Sequence, residues 1–275
     1  MKEATTAGRE FVLRWPLCDP DSSGGARSGV LCARPFGHRA EDLDVDLLHA
    51  PVPSALTALF ARCLRGDGGS ELSESELWRW TVTRRMQALL AVASASGGTR
   101  RETAVVCPEP ECRQTMQIEL DLRAFRRSCD DETFRFSPDG AAEFVFRLPN
   151  GLDQLRFVQE LDDDPLRLVP ELIASGDLQA FRPEWLPLLE AELEERDPFT
   201  VLELSATCPG CGASNSHHFD LEAFLLRDLA RKQTALLEAI HRIARAYHWS
   251  EREILALPPH RRDYYLGRID REVLQ

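Results

Sequence analysis

The sequence predicts an α+β protein, mostly helical, with short antiparallel strands and a four-cysteine unit split between two duplicated knuckles. Three observations carry this. Apolar residues recur at helical spacing through much of the chain. Two cysteine pairs about a hundred residues apart sit in the same local pattern. Short β-prone runs flank both pairs.

From the N-terminus, Glu10 to Trp15 and Val30 to Phe36 are expected as two short strands. Between them Asp19 to Gly29 is rich in Gly, Ser and Asp and reads as a flexible loop. Leu56, Leu59, Phe60, Cys63 and Leu64 follow helical spacing, with Ser54 as N-cap and Gly66 as the stop. Ser73 and Glu76 make a capping box before a second helix through Leu77, Trp80, Leu89 and Val92, ending at Gly97 and Gly98. Phe144 to Leu148 is expected as a strand. Leu152 to Arg196 reads as short helices punctuated by Pro165, Pro170, Pro183 and Pro187. After Asp220 the chain is helical to its end. Leu221, Phe224, Leu225, Leu229, Leu236, Ile240, Ile243 and Tyr247 form one apolar stripe. Ser250 and Glu253 form another capping box, with Trp249 and Ile254 placed as a hydrophobic staple. Pro258-Pro259 then precedes a last helix with Tyr264, Tyr265, Leu266 and Ile269.

The repeat organises the chain. One unit reads Cys107-Pro-Glu-Pro-Glu-Cys112 and the other Cys208-Pro-Gly-Cys211. In each, the second Cys precedes an Asp by nine residues, Cys112 to Asp121 and Cys211 to Asp220. Each Asp opens the pattern Asp-Leu-x-Ala-Phe. Strands Thr103 to Val106 and Leu202 to Thr207 are expected to lead into the knuckles, and Thr115 to Leu120 and Ser216 to Phe219 to lead out. One knuckle offers two thiolates, whereas a structural zinc ion takes four ligands in a tetrahedron. The pair therefore predicts a zinc-ribbon-like site of Cys107, Cys112, Cys208 and Cys211. The 95 residues between Cys112 and Cys208 are no obstacle, because loop-closure entropy grows slowly with length. His217 and His218 are read as strand or surface residues. Cys18, Cys32, Cys63 and Cys129 lack ligand spacing and read as small buried hydrophobes.

The repeat suggests four segments: 1–52, the strand pair and loop; 53–140 and 141–228, two helical halves each with a knuckle; and 229–275, a helical tail. A formal net charge of -12 over 275 residues argues against nucleic acid and anionic lipid as partners. Acid gathers at Glu160 to Asp164 and Glu190 to Asp197, read as solvated helix faces. No run is long and apolar enough for a membrane span, and Met1 to Glu10 has no signal-peptide core, so a cytoplasmic protein is expected. No His-Glu-x-x-His, Walker loop, Gly-x-Ser-x-Gly or deaminase signature is present, and four thiolates leave a zinc ion no open position. A non-enzyme without a small-molecule substrate is therefore expected.

The two cysteine units, Phe219-Asp220-Leu221, the stretch Phe146-Arg-Leu-Pro-Asn-Gly151 and the tail from His241 through Tyr247-His248-Trp249-Ser250-Glu251 to Pro258 resemble a known family. The chain is similar to the baseplate hub assembly chaperones of contractile-tailed bacteriophages and their relatives in phage-tail-like contractile injection systems. The similarity runs from about Pro53 to the C-terminus, and the first 50 residues depart from it. It implies an assembly factor or a minor baseplate component that binds other baseplate or hub proteins. It implies no catalytic residues, and it assigns the four cysteines as metal ligands. Tyr247, Trp249, Ile254, Tyr264 and Tyr265 in the tail are the partner-binding candidates. The alternatives are a zinc-ribbon nucleic-acid-binding or regulatory protein, which needs a basic face, and an enzyme, which needs an open metal site.

Overall fold

The computed structural model describes residues 13–16, 30–66, 69–126, 132–140, 143–160, 167, 169–196, 199 and 202–273. Cys18, Cys129, the loop 19–29 and most of the acidic run 160–164 lie outside them. The strands are β1 (Leu13–Pro16), β2 (Val30–Ala33), β3 (Leu64–Arg65), β4 (Arg100–Val106), β5 (Thr115–Asp121), β6 (Thr133–Phe136), β7 (Phe144–Arg147), β8 (Ile173–Ser175), β9 (Glu203–Thr207) and β10 (Ser214–His218). The helices are α1 (Ala40–Leu43), α2 (Val52–Cys63), α3 (Glu74–Arg79), α4 (Val82–Gly97), α5 (Gly151–Glu160), α6 (Val169–Leu172), α7 (Leu186–Arg196), α8 (Leu221–Tyr247), α9 (Glu251–Ala256) and α10 (Pro259–Val273). The strands make four small antiparallel sheets, ordered β1-β2-β3, β4-β5, β6-β7-β8 and β9-β10. Helices and small antiparallel sheets thus share the chain, as the sequence predicts.

The main core surrounds α4. Every residue from Met86 to Ala93 is buried, because α2, the β1-β2-β3 sheet and the start of α8 enclose the helix. Trp15, Leu31, Phe36, Leu56, Phe60, Leu122, Leu221 and Leu225 belong to this one cluster. The boundary drawn at 52/53 therefore falls inside shared packing. A second cluster joins β6 and β7 to α6 and α7 through Phe134, Phe136, Phe144, Phe146 and Trp185. A third holds the far end of α8 to α9 and α10 through Leu236, Ile240, Ile243 and Ile254.

Two helix boundaries differ from expectation. Ser54 is not the cap of α2. The cap is Pro51, with Pro53 in the first turn, where a missing N–H costs nothing. The helix stops at Cys63, three residues before Gly66, because Leu64 and Arg65 leave it to pair with Ala33 and Cys32. The long helix expected after Ser73 is two helices. Ser73 accepts from the Glu76 N–H as predicted. Trp80 is then extended, and Thr81 caps α4 by accepting from the Arg84 N–H. The break lets Thr81 bridge to Asn150 and the Val82 N–H donate to the Pro149 carbonyl at 3.0 Å.

That contact explains the Arg147-Leu-Pro-Asn-Gly151 stretch. Arg147 grips Asp153 with two bonds of 2.6 and 2.8 Å. Asn150 Oδ1 accepts from the Leu152 N–H at 2.9 Å and starts α5. A Cβ on Gly151 would lie 2.6 Å from Arg85 Nη1, so only glycine lets α5 lie this close to that side chain. Arg85 is fully buried and donates to Thr57 Oγ1 and to the carbonyls of Leu77 and Pro53. Burial brings its guanidinium down to about 10. It stays charged at neutral pH and pins α2, α3 and α4 together.

A second buried cation, Arg34, makes a bidentate pair with Asp42 at 2.9 and 2.6 Å. Asp42 also accepts the N–H groups of Gly37, His38 and Arg39. Gln233 of α8 then donates to the Asp42 and Val45 carbonyls at 3.0 and 2.9 Å, tying the turn to the long helix. Burial pushes the Asp42 carboxyl up, but the Arg34 guanidinium and the backbone N–H groups outweigh it and hold it below its ordinary value. Its contribution is therefore complete above the unfolded carboxylate range near pH 4 and is lost as pH falls through the depressed folded value. Asp42→Ala strands a buried guanidinium and three N–H groups. It is expected to cost about 3–5 kcal/mol in urea unfolding at neutral pH, and a cost below about 1 kcal/mol would contradict this account.

Candidate metal centre

Two hairpins position the cysteines. In the first, β4 and β5 pair from Arg100↔Asp121 to Val106↔Thr115. In the second, β9 and β10 pair from Glu203↔His218 to Thr207↔Ser214. Each knuckle closes on the same bond, from the first Cys N–H to the residue two after the second Cys: Cys107 to the Gln114 carbonyl and Cys208 to the Ala213 carbonyl, both 2.9 Å. The residue after each second Cys has positive φ, 74° at Gly212 and 50° at Arg113. The second unit meets that demand with glycine. The first meets it with an L-residue at a steric cost.

The hairpins meet at their tips. The four Sγ atoms lie within 4.8 Å of one another. Cys107 and Cys211 are 3.7 Å apart and Cys112 and Cys208 are 3.6 Å apart, so the shortest approaches run between hairpins. These distances exceed a disulfide bond, and all four are free thiols. Cys107 and Cys208 are buried, Cys112 is half-buried and Cys211 is exposed. Met116 seals the inner side, with Val105 and Ala206 against it. Gly210 has no side chain where Gln114 Oε1 reaches across, which lets the knuckles approach. The cluster is compatible with a metal ion, and it is the one such group among the described residues.

The thiols do not share one affinity for protons. Burial pushes Cys107 up to about 12. The backbone N–H of Cys211, seconded by that of Gly210, brings Cys208 down to about 7. Cys112 is raised: the Gln114 N–H favours its thiolate, but the Cys208 sulfur and burial outweigh that bond. An apo cluster thus releases a proton from Cys208 more readily than from Cys107 or Cys112, and a nearby cation favours ionising those two.

His217 and His218 lie on β10 outside the sulfur cluster, half-buried and exposed respectively. Cys63 is buried in the main core and pushed up to about 12 by burial, as expected of an inert hydrophobe, while Cys32 is half-buried. One contributor has no sequence signal. Asn215 Nδ2 donates to Cys107 Sγ at 3.8 Å, so the second hairpin supports a thiolate of the first. Its counterpart in the first unit, four residues past Cys112, is the apolar Met116.

The tail residues lie elsewhere. Ile254 is fully enclosed. Tyr247 stacks on Trp249, and both meet Tyr265 edge-on at 5.3 and 5.0 Å. Tyr264 is 62% exposed. The capping box of Ser250 and Glu253 is present in both directions. Among the described residues no helix is long and apolar enough to cross a membrane. Comparison with protein-family models, with curated proteins and with solved structures gives no match.

Two outcomes follow from this geometry. Cys208→Ser is expected to purify without metal and to melt on the order of 10 °C lower, read by elemental analysis and calorimetry; full metal with an unchanged Tm would refute the ligand set. Arg113→Gly relieves the left-handed backbone and is expected to stabilise the chain by about 1 kcal/mol, read by urea unfolding.

Proposed function

We propose that this chain is a non-enzymatic assembly factor, or a minor structural component, of the baseplate of a contractile phage tail or phage-tail-like injection system. It binds other tail proteins and is built around one structural zinc ion. The observation that carries the reading is the junction of two duplicated hairpins on four sulfurs, the units on which the family resemblance also rests. Zinc suits this donor set. A zinc–sulfur bond of about 2.3 Å sets the edge of a thiolate tetrahedron at about 3.8 Å, and the cross-hairpin approaches are 3.7 and 3.6 Å. Four thiolates fill the shell and leave no place for a reactive water, so the ion supplies cohesion between the hairpins and no chemistry on a substrate.

The charge supports protein over nucleic-acid partners, since a net -12 opposes phosphate contacts. The chain works in the cytoplasm, where its thiols stay reduced, and is then either released or kept in the particle. The tail is the gripping element of this reading, with Tyr264 exposed and the Tyr247, Trp249 and Tyr265 rings half-open beside it.

The reading predicts one zinc per chain by elemental analysis. Truncation after Ala235 removes the third cluster yet spares Gln233 and the four cysteines. The truncated chain is expected to keep its zinc and to lose the ability to support particle assembly. Normal particles from it would refute the tail's role, and salt-sensitive DNA retention by the full chain would favour the nucleic-acid alternative.

A further inference from the structure

The buried arginines are Arg34, Arg85, Arg101 and Arg262. Arg34 pairs with Asp42, Arg101 pairs with Asp228, and Arg85 donates to Thr57 Oγ1 and two carbonyls. Arg262, in the first turn of α10, is the exception. It is 5% exposed, and its Nη1 is enclosed without a hydrogen-bond partner. No carboxylate pairs with its guanidinium among the described residues: burial lowers its pKa, opposed only by the charge of the exposed Asp263 beside it in sequence. A guanidinium keeps its charge at neutral pH, and a buried charge without a counter-ion is costly. Local conflicts of this kind mark functional positions.

The surroundings suit an anion. Side chains of a helix lean towards its N-terminus, so the Arg262 stem leaves the helix towards the start of α10. That end is the positive pole of a 15-residue helix, and its first turn holds His260, Arg261 and Arg262 and no acidic residue. Acid is favoured at that pole, and cations in its place leave it uncompensated. His38, on the turn before α1, is exposed. Burial first, and then the Arg262 charge, lower the His38 pKa, which places the imidazole near the guanidinium. Lys232 of α8 acts on the same ring. So does the carboxylate of Asp42, but it is already taken by Arg34 and three backbone N–H groups.

We propose that Arg262, with the N-terminus of α10 and His38, receives a carboxylate from an acidic segment of a protein partner. One planar guanidinium donates to one carboxylate through paired N–H bonds. A carboxylate brings a single negative charge, which one arginine balances, whereas a phosphate chain meets a molecule of net charge -12. Tyr265, half-exposed, lies one turn further along α10, and Tyr264 beside it is exposed, so residues flanking the acid find aromatic rings. The inference rests on the reading of the tail as the gripping element and names the chemistry that it grips.

The test pans a random peptide display library against the full-length protein. Enriched peptides are synthesised with a fluorophore and titrated by anisotropy. The expected peptides share an Asp or Glu, and their affinity falls with added salt. Binding should weaken by at least about tenfold in Arg262→Met. Arg262→Lys, which keeps the charge without the planar fork, should fall between. In the free protein Arg262→Met should leave the Tm unchanged or higher, because it removes a buried charge that has no partner. A Tm lowered by more than about 5 °C would mark Arg262 as a structural residue and overturn the proposal. Enrichment of nothing, enrichment of basic peptides, or equal binding to Arg262→Met would also overturn it. So would inorganic phosphate that displaces the peptides at micromolar concentration, since phosphate would then be the ligand. Peptide binding lost in Arg262→Met, combined with normal particle assembly by that variant, would uphold the site and count against the assembly reading alone.

Discussion

Like charges repel, and four sulfurs within 4.8 Å of one another cannot all be thiolates unless a cation sits among them. That constraint shapes the molecule. The free thiols differ widely in proton affinity, with Cys107 pushed up to about 12 by burial and Cys208 brought down to about 7 by the backbone N–H of Cys211. Both knuckles curl through a left-handed residue after the second cysteine. Two hairpins that share no sheet are thereby fixed tip to tip, and each feeds the core directly. Asp121 and Asp220 each cap the turn that follows, and Leu122 and Leu221 both enter the cluster around α4. The sulfur cluster and the apolar core are thus two ends of the same hairpins.

The duplicated pattern was legible because it is local. Spacing, the helix-opening Asp and the strand pairs all read directly from the residues. What was not legible depends on distant partners. The Asp-Leu-x-Ala-Phe motif opens a 27-residue helix in one unit and a single four-residue turn in the other. The difference lies downstream, where Leu225, Leu226 and Leu229 continue the apolar stripe in one and Arg126, Arg127 and Ser128 do not in the other. Strands β3 and β8 are two and three residues long and exist only because a neighbour pairs with them. The Trp80 break answers to Pro149 and Asn150, some seventy residues away. Asn215 looks like an ordinary polar strand residue until the other hairpin brings Cys107 to it.

The charge balance has an internal side as well. Arg34, Arg85 and Arg101 are buried and serve as cross-links. Arg101 collects the carbonyls of Ala93, Gly97 and Gly98 at the end of α4 and pairs with Asp228 on α8. Arg85, near the start of α4, donates instead to groups of α2 and α3: Thr57 Oγ1 and the carbonyls of Pro53 and Leu77. Arg34 and Arg101 each take a carboxylate inward with them, Asp42 and Asp228, so these two cross-links leave the outer charge balance nearly unchanged.

The distance between the two halves of the sulfur cluster also has a meaning in time. A nascent chain leaves the ribosome at roughly 5–20 residues per second, so Cys112 emerges about 5–20 s before Cys208. Through that interval the first hairpin is a two-thiol fragment, and the helix around which the main core forms lacks Leu221 to Ala230. The molecule therefore closes only once Cys208 to Ala230 have emerged, when one stretch supplies both the missing sulfurs and the missing wall.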